Sequence, residues 1–236
     1  AKDDAAGLAI AERMTAQIRG FDVAARNAND GISLLQVADG ALGKIGDNLQ
    51  RMRELGVQAK NGTLNDTDRA NLNREYTELA NEVGRVATGT TFNGNNVFEA
   101  ANKTVDLQIG SGNVASDTLS VNLTDTGTAA GNDLQTTLGG ATQAAIVTAF
   151  GGVDTVANAT TAITEIDTAI NDITNLRATT GASLSRLDQV VSSLETTSAN
   201  LSSARGRIMD ADFAKETANL TRSQILQQAG TAMLAQ

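Results

Sequence analysis

The sequence predicts a mainly α fold: an elongated antiparallel helical bundle or coiled-coil rod, carrying a small insertion that contains a β-hairpin. Three observations lead there. Apolar residues recur at alternating spacings of three and four over long runs at both ends of the 236-residue chain. Proline is absent, which removes the strongest helix breaker and lets helices run long. Aromatics are only 3% and Trp is absent, while hydrophobic residues reach 41%. A core made mostly of Ala, Leu, Ile and Val suits closely packed helices.

The first part runs from residue 1 to 88. Ile18, Phe21, Ala25, Ala28, Ile32 and Leu35 mark a helical seam that resumes, after one shortened step, at Ala38, Leu42, Ile45, Leu49 and Met52. A helix over residues 1–60 spans roughly 90 Å at about 1.5 Å per residue, which implies a rod. Asn61-Gly62 should end it. Asn65 or Asp66 offers the N-cap of a second helix, with a seam at Leu72, Tyr76, Leu79, Val83 and Val86. The short polar link predicts that this helix folds back antiparallel to the first.

The second part, 89–153, is rich in Gly, Thr, Asn and Ala. Asn93-Gly94 has hairpin-turn chemistry. Val105, Leu107 and Ile109 alternate with polar residues, as do Leu119, Val121 and Leu123, which predicts two half-buried strands. A short helix is expected around Ala141 to Ala149. The third part, 154–236, returns to the helical pattern through Ile163, Ile166, Ile170 and Ile173, then Leu184, Leu187, Val191, Leu194, Ser198 and Leu201. Gly181 and Gly206 are its weak points, and the tail from Ile208 stays helix-prone.

Composition excludes several function classes. Net charge is −9, opposite to what a nucleic-acid or anionic-lipid partner requires. No apolar run is long enough to span a membrane. Cys and His are both absent, which removes thiolate chemistry, His bases and the usual zinc sites. The carboxylate pairs Asp3-Asp4 and Asp210-Ala211-Asp212 lack any accompanying His, Cys or phosphate loop, and neighbours on a helix diverge by about 100°. No catalytic residue, metal ligand or cofactor is expected.

Three strings carry a family resemblance: AKDDAAGLAIAERM at Ala1–Met14, RNANDGISLLQVADGAL at Arg26–Leu42, and RIMDADFAKETANLTRSQILQQAGTAMLAQ at Arg207–Gln236. Together with Asn65–Phe98 they resemble the terminal regions of bacterial flagellins, in the right order. The resemblance implies the flagellin core domain, with two segments from the N-terminal half, one from the C-terminal half and a hairpin region between. It implies an extracellular subunit that polymerises through its terminal helices into the flagellar filament, with other flagellin subunits as partners. The terminal segments that line the filament centre in this family are expected to lie outside this chain, so that it stays monomeric. A hook–filament junction protein shares the terminal helices and is the alternative; a chemoreceptor-like stalk lacks the β-rich insertion. Ser and Thr residues of the insertion are candidate O-glycan carriers by the same resemblance, an unmodified polar surface being equally compatible.

The stretch Leu49–Gln58 resembles the flagellin segment read by the animal receptor Toll-like receptor 5. Arg51 and Leu55 stand four apart in a helix, and an antiparallel second helix would bring Glu75 beside them. These three residues are the expected receptor-binding set, a surface used for filament packing alone being the other reading. Gly56 stands where many flagellins carry a larger residue.

Overall fold

The computed structural model describes residues 5–98, 104–124, 148–209 and 213–234. Helix α1 runs from Ala5 to Ala59 and α2 from Asp66 to Gly89. Two small antiparallel hairpins follow: β1 (Thr91–Phe92) with β2 (Asn95–Asn96), and β3 (Thr104–Gln108) with β4 (Thr118–Asn122). Helix α3 spans Val156–Met209 and α4 spans Phe213–Leu234. The chain is therefore mainly helical, with α1 and α3 each about 80 Å long at about 1.5 Å per residue. The short helix expected around Ala141–Ala149 falls mostly outside the described residues, of which 148–150 close a helical turn. Asp3, Asp4, Asp210 and Asp212 also lie outside them.

Local chemistry sets the boundaries. Asn65 caps α2, its side-chain oxygen accepting from the Asp68 amide at 2.8 Å. Thr155 does the same for α3, accepting from the Asn158 amide at 3.1 Å. The link between α1 and α2 is fixed by Arg69, which donates to the carbonyls of Ala59 (3.2 Å), Asn61 (3.1 Å) and Leu64 (2.6 Å). The Ala59 and Leu64 carbonyls take this donor in place of a helical partner, while that of Asn61 also accepts from the Leu64 amide at 3.3 Å. Asn93 (φ 50°) and Gly94 (φ 78°) form the tight β1–β2 turn, the one place among the described residues where two successive residues are left-handed.

Helix α1 is the central element. It packs along α3 over nearly its whole length, along α2 in its second half and against β3 in its first. The α1–α3 pairing is antiparallel. Ser198 reaches Asp22, Arg177 reaches Asp39, Arg53 reaches Asp167, and Gly56 lies under Ile163. The sandwiched half of α1 buries Leu42, Ile45, Leu49 and Met52 completely, against Tyr76, Ala80 and Val83 on one side and Ile166, Ala169 and Leu176 on the other.

The first half of α1 differs from its expected seam. Ala11, Ala24, Ala28, Gly31 and Leu35 are buried there, whereas Ile18, Phe21, Ala25 and Ile32 are half-buried. The β3–β4 hairpin covers part of this half, lying so close that a Cβ on Gly31 would stand 2.4 Å from Leu107 and one on Gly20 would stand 2.6 Å from Ser111. Asn27 adds a hydrogen bond to the Gln108 carbonyl at 3.0 Å.

The outer face of α3 carries many hydroxyls. Those of Thr160, Thr161, Thr164, Thr168, Thr174, Ser183 and Thr196 each donate to the carbonyl one turn back. This satisfies the hydroxyl donors locally, an arrangement that tends to curve a helix.

Candidate assembly and recognition surface

Where α1 and α2 run side by side, Arg51 sits half-exposed on α1 facing Glu75 on α2. Its Nε and Nη2 donate to Glu75 Oε1 at 3.0 and 2.8 Å, and its Nη1 donates to Glu54 Oε2 at 2.8 Å. The Glu54 and Glu75 hydrogen bonds raise the Arg51 pKa further, so the group stays charged. Three of the five guanidinium hydrogens are engaged, and two remain for a partner. The antiparallel turn-back thus brings Arg51 and Glu75 together.

Leu55 goes elsewhere. It is 1% exposed and belongs to the core between α2 and α3. It fixes the turn of helix that carries Arg51 but presents no surface of its own. Residues four apart lie about 40° apart around a helix, and the buried face of α1 is wide enough here to include Leu55. Gly56 is buried beside it, and a Cβ there would stand 3.0 Å from Ile163, so its lack of a side chain lets α3 approach.

Further ion pairs line the same rod. Arg53 donates to Asp167 at 2.6 Å and Arg177 to Asp39 at 2.8 Å, both joining α1 to α3; Arg85 pairs with Glu82 within α2. Hydrogen bonding to Asp167, Asp39 and Glu82 raises the respective arginine pKa values, and Arg85 lowers that of Glu82. Exposed pairs of this kind contribute little stability each and act mainly to fix orientation. Glu54 escaped the sequence reading although its i,i+3 spacing from Arg51 signals the contact. The Arg53–Asp167 pair has no local signal, because it depends on the α1–α3 register. Arg13, Arg19, Asp22 and Arg26 are exposed along the first half of α1. Among the described residues no three Asp or Glu converge on a metal-sized site, and no helix is long and apolar enough to cross a membrane.

Two long antiparallel helices, a third laid along them and hairpins on the flank define a rod-shaped structural subunit. Family models describing the bacterial flagellin N-terminal and C-terminal helical regions match residues 1–103 and 163–236. A flagellin of Halalkalibacterium halodurans is 42% identical over all of this chain and 81% of its own length. That of Bacillus subtilis is 38% identical, again over the whole chain and 83% of the relative. The crystal structure of Bacillus cereus flagellin superposes with a TM-score of 0.57 at 36% identity, covering 72% of this chain and 88% of that one. The chain belongs to the bacterial flagellin family. It is an extracellular structural subunit of the flagellar filament, serves motility and is not an enzyme.

Proposed function

We propose that the subunit joins the filament through its terminal helical regions, within a layout of 1–88, 89–153 and 154–236, and that the Arg51–Glu75 surface is where Toll-like receptor 5 binds. What supports the first part is α4, on which Leu220, Ile225 and Leu226 are 58%, 59% and 65% exposed. A neighbouring copy that covers them gains apolar burial worth about 25 cal/mol per Å². Three side chains fall far short of a stable pairwise interface of about 1,600 Å². A pair of copies held by these three side chains alone would separate, and a filament holds each subunit by summing contacts to several neighbours. The purified chain is expected to appear as dispersed particles in electron micrographs, even when concentrated; spontaneous long filaments would contradict this.

The receptor reading rests on Arg51, whose two carboxylate partners hold it in place before any partner arrives. A pre-ordered side chain loses less conformational freedom on binding. Glu75 and Glu54 supply acceptors beside it, and Leu55 supports the helix turn from below. Arg51→Ala is expected to weaken binding to the receptor ectodomain by about 1 kcal/mol or more, as hot-spot truncations do. Helix content should not change, because Ala is the best helix former. Surface plasmon resonance with circular dichroism as folding control reads both; equal affinity of parent and variant would remove this surface from the proposal. Asp117 is a poor neutral control despite its distance along the chain. Its carboxylate and carbonyl organise the turn before β4, accepting from the amides of Val114 (3.4 Å) and Ile109 (2.7 Å).

A further inference from the structure

The link between α1 and α2 contains an Asn-Gly dipeptide whose surroundings favour a covalent change. Asn61 and Gly62 are both exposed. The Asn61 side-chain oxygen accepts from the Thr63 amide at 3.1 Å, which folds the carboxamide back over the next two residues. That hydrogen bond also draws electron density from Cγ, making the carbon a better electrophile. The Gly62 amide has no hydrogen-bond partner among the described residues. Apart from its two chain neighbours, no residue comes within 4 Å of where a Gly62 Cβ would be, so the glycine is open on its Cα side.

We propose that Asn61 deamidates spontaneously through Gly62, converting the α1–α2 link to aspartate or isoaspartate. The Gly62 nitrogen loses its proton to solvent base and attacks Asn61 Cγ. The new C–N bond closes a five-membered succinimide, and the side-chain nitrogen leaves as ammonia, taking up the proton. Water then adds at Cγ, regenerating the normal backbone with an aspartate, or at the Asn61 main-chain carbon, giving isoaspartate. One water is consumed and one ammonia released. Either product places a new carboxylate beside Arg69. Isoaspartate also lengthens the backbone by one methylene between the Ala59 and Leu64 carbonyls that Arg69 holds together.

The second Asn-Gly pair, Asn93-Gly94, provides the comparison. It is exposed too, but its residues are fixed at φ 50° and 78° in a turn flanked by the Phe92–Asn95 and Thr91–Asn96 pairs. Ring closure requires the glycine nitrogen to swing to the Cβ side of the asparagine, which the paired strands resist. Asn65 is a second comparison, being engaged as the cap of α2 and followed by Asp66 rather than glycine.

The test incubates the purified folded chain at neutral and mildly alkaline pH and maps it by tryptic digestion and tandem mass spectrometry. Cleavage after Lys60 and Arg69 isolates residues 61–69, which contain Asn61 and Asn65 together. The expected result is a gain of about one mass unit at Asn61, as both aspartate and isoaspartate, faster at the higher pH and several-fold ahead of Asn65 and Asn93. Gly62→Ala should slow it strongly without loss of helix signal, since that position has open space and no positive φ. A synthetic peptide of residues 61–69 serves as clock. Asn61 intact in the folded chain after the peptide has half reacted, or Asn93 reacting first, would overturn the proposal.

Discussion

Leu187→Asp is expected to cost the fold several kcal/mol. Leu187 is 0% exposed on α3 and lies in the seam against α1. An aspartate there brings a charge into an apolar strip. Leaving a buried charge unpaired costs about 3–5 kcal/mol, and the lost leucine packing adds to it. In a chain of this length each kcal/mol lowers the thermal midpoint by about 2–4 °C, so a fall of about 10 °C or more follows. Circular dichroism melts read it directly. A midpoint within a few degrees of the parent would mean that α3 does not pack on α1 through this face.

Tyr76→Ala has the next largest expected effect. Tyr76 is completely buried on α2, and its hydroxyl donates to the buried Phe150 carbonyl at 2.9 Å. Nearby, Asn73 accepts from the Val153 amide at 2.7 Å, so the two side chains together tie the segment before α3 onto α2. Truncating a large buried aromatic to Ala costs about 3–5 kcal/mol. Tyr76→Phe keeps the ring and strands only the carbonyl, for about 1–3 kcal/mol.

The same residue gives a pH signature. Burial, and secondarily Glu165, pushes the Tyr76 phenol well above its ordinary value. The folded chain therefore keeps this proton where the unfolded chain releases it, near about pH 10. The contribution is fully present below that pH. It is lost as pH rises beyond it toward the folded value, by at most about 1.4 kcal/mol per pH unit. Urea unfolding should show this decline in the parent and not in Tyr76→Phe. Because Tyr76 is the only tyrosine in the chain, phenolate absorbance follows it without assignment.

Much of this architecture is legible in the sequence because local chemistry decides it. Asn65 starts α2 and Asn93-Gly94 turns the first hairpin, each through a side chain or dihedral acting on its own neighbours. Helix α1 does stop just before Asn61-Gly62, but Gly62 is not left-handed as a glycine stop would have it, and the Asn61 side chain folds onto the Thr63 amide instead. The alternation of Val105 and Leu107 with polar residues, and of Leu119 and Val121 likewise, marks the β3–β4 pair, in which Val105 faces Val121 and Leu107 faces Leu119. What the sequence hides is decided by tertiary neighbours. The buried side of α1's first half is made of Ala11, Ala24, Ala28 and Gly31, small residues whose hydropathy signal is weaker than that of Ile18 or Phe21 beside them. Asp172 and Thr180 are buried in α3 at positions where a polar residue ordinarily signals exposure; the Thr180 hydroxyl has no partner among the described residues. In the candidate surface, Arg51 and Glu75 meet as helix spacing and an antiparallel return require. Leu55 turns inward because α2 and α3 both cover α1 at that level.

Helices α1 and α3 form one extended antiparallel rod. Small-angle X-ray scattering of the purified chain in dilute solution tests it most directly. A rod of about 80 Å has a radius of gyration of about 24 Å or more and a long tail in its pair-distance distribution. A compact globule of this length would give about 18 Å with a symmetric distribution. The first result is predicted; the second would mean that the long helices fold back on themselves and that the rod is wrong.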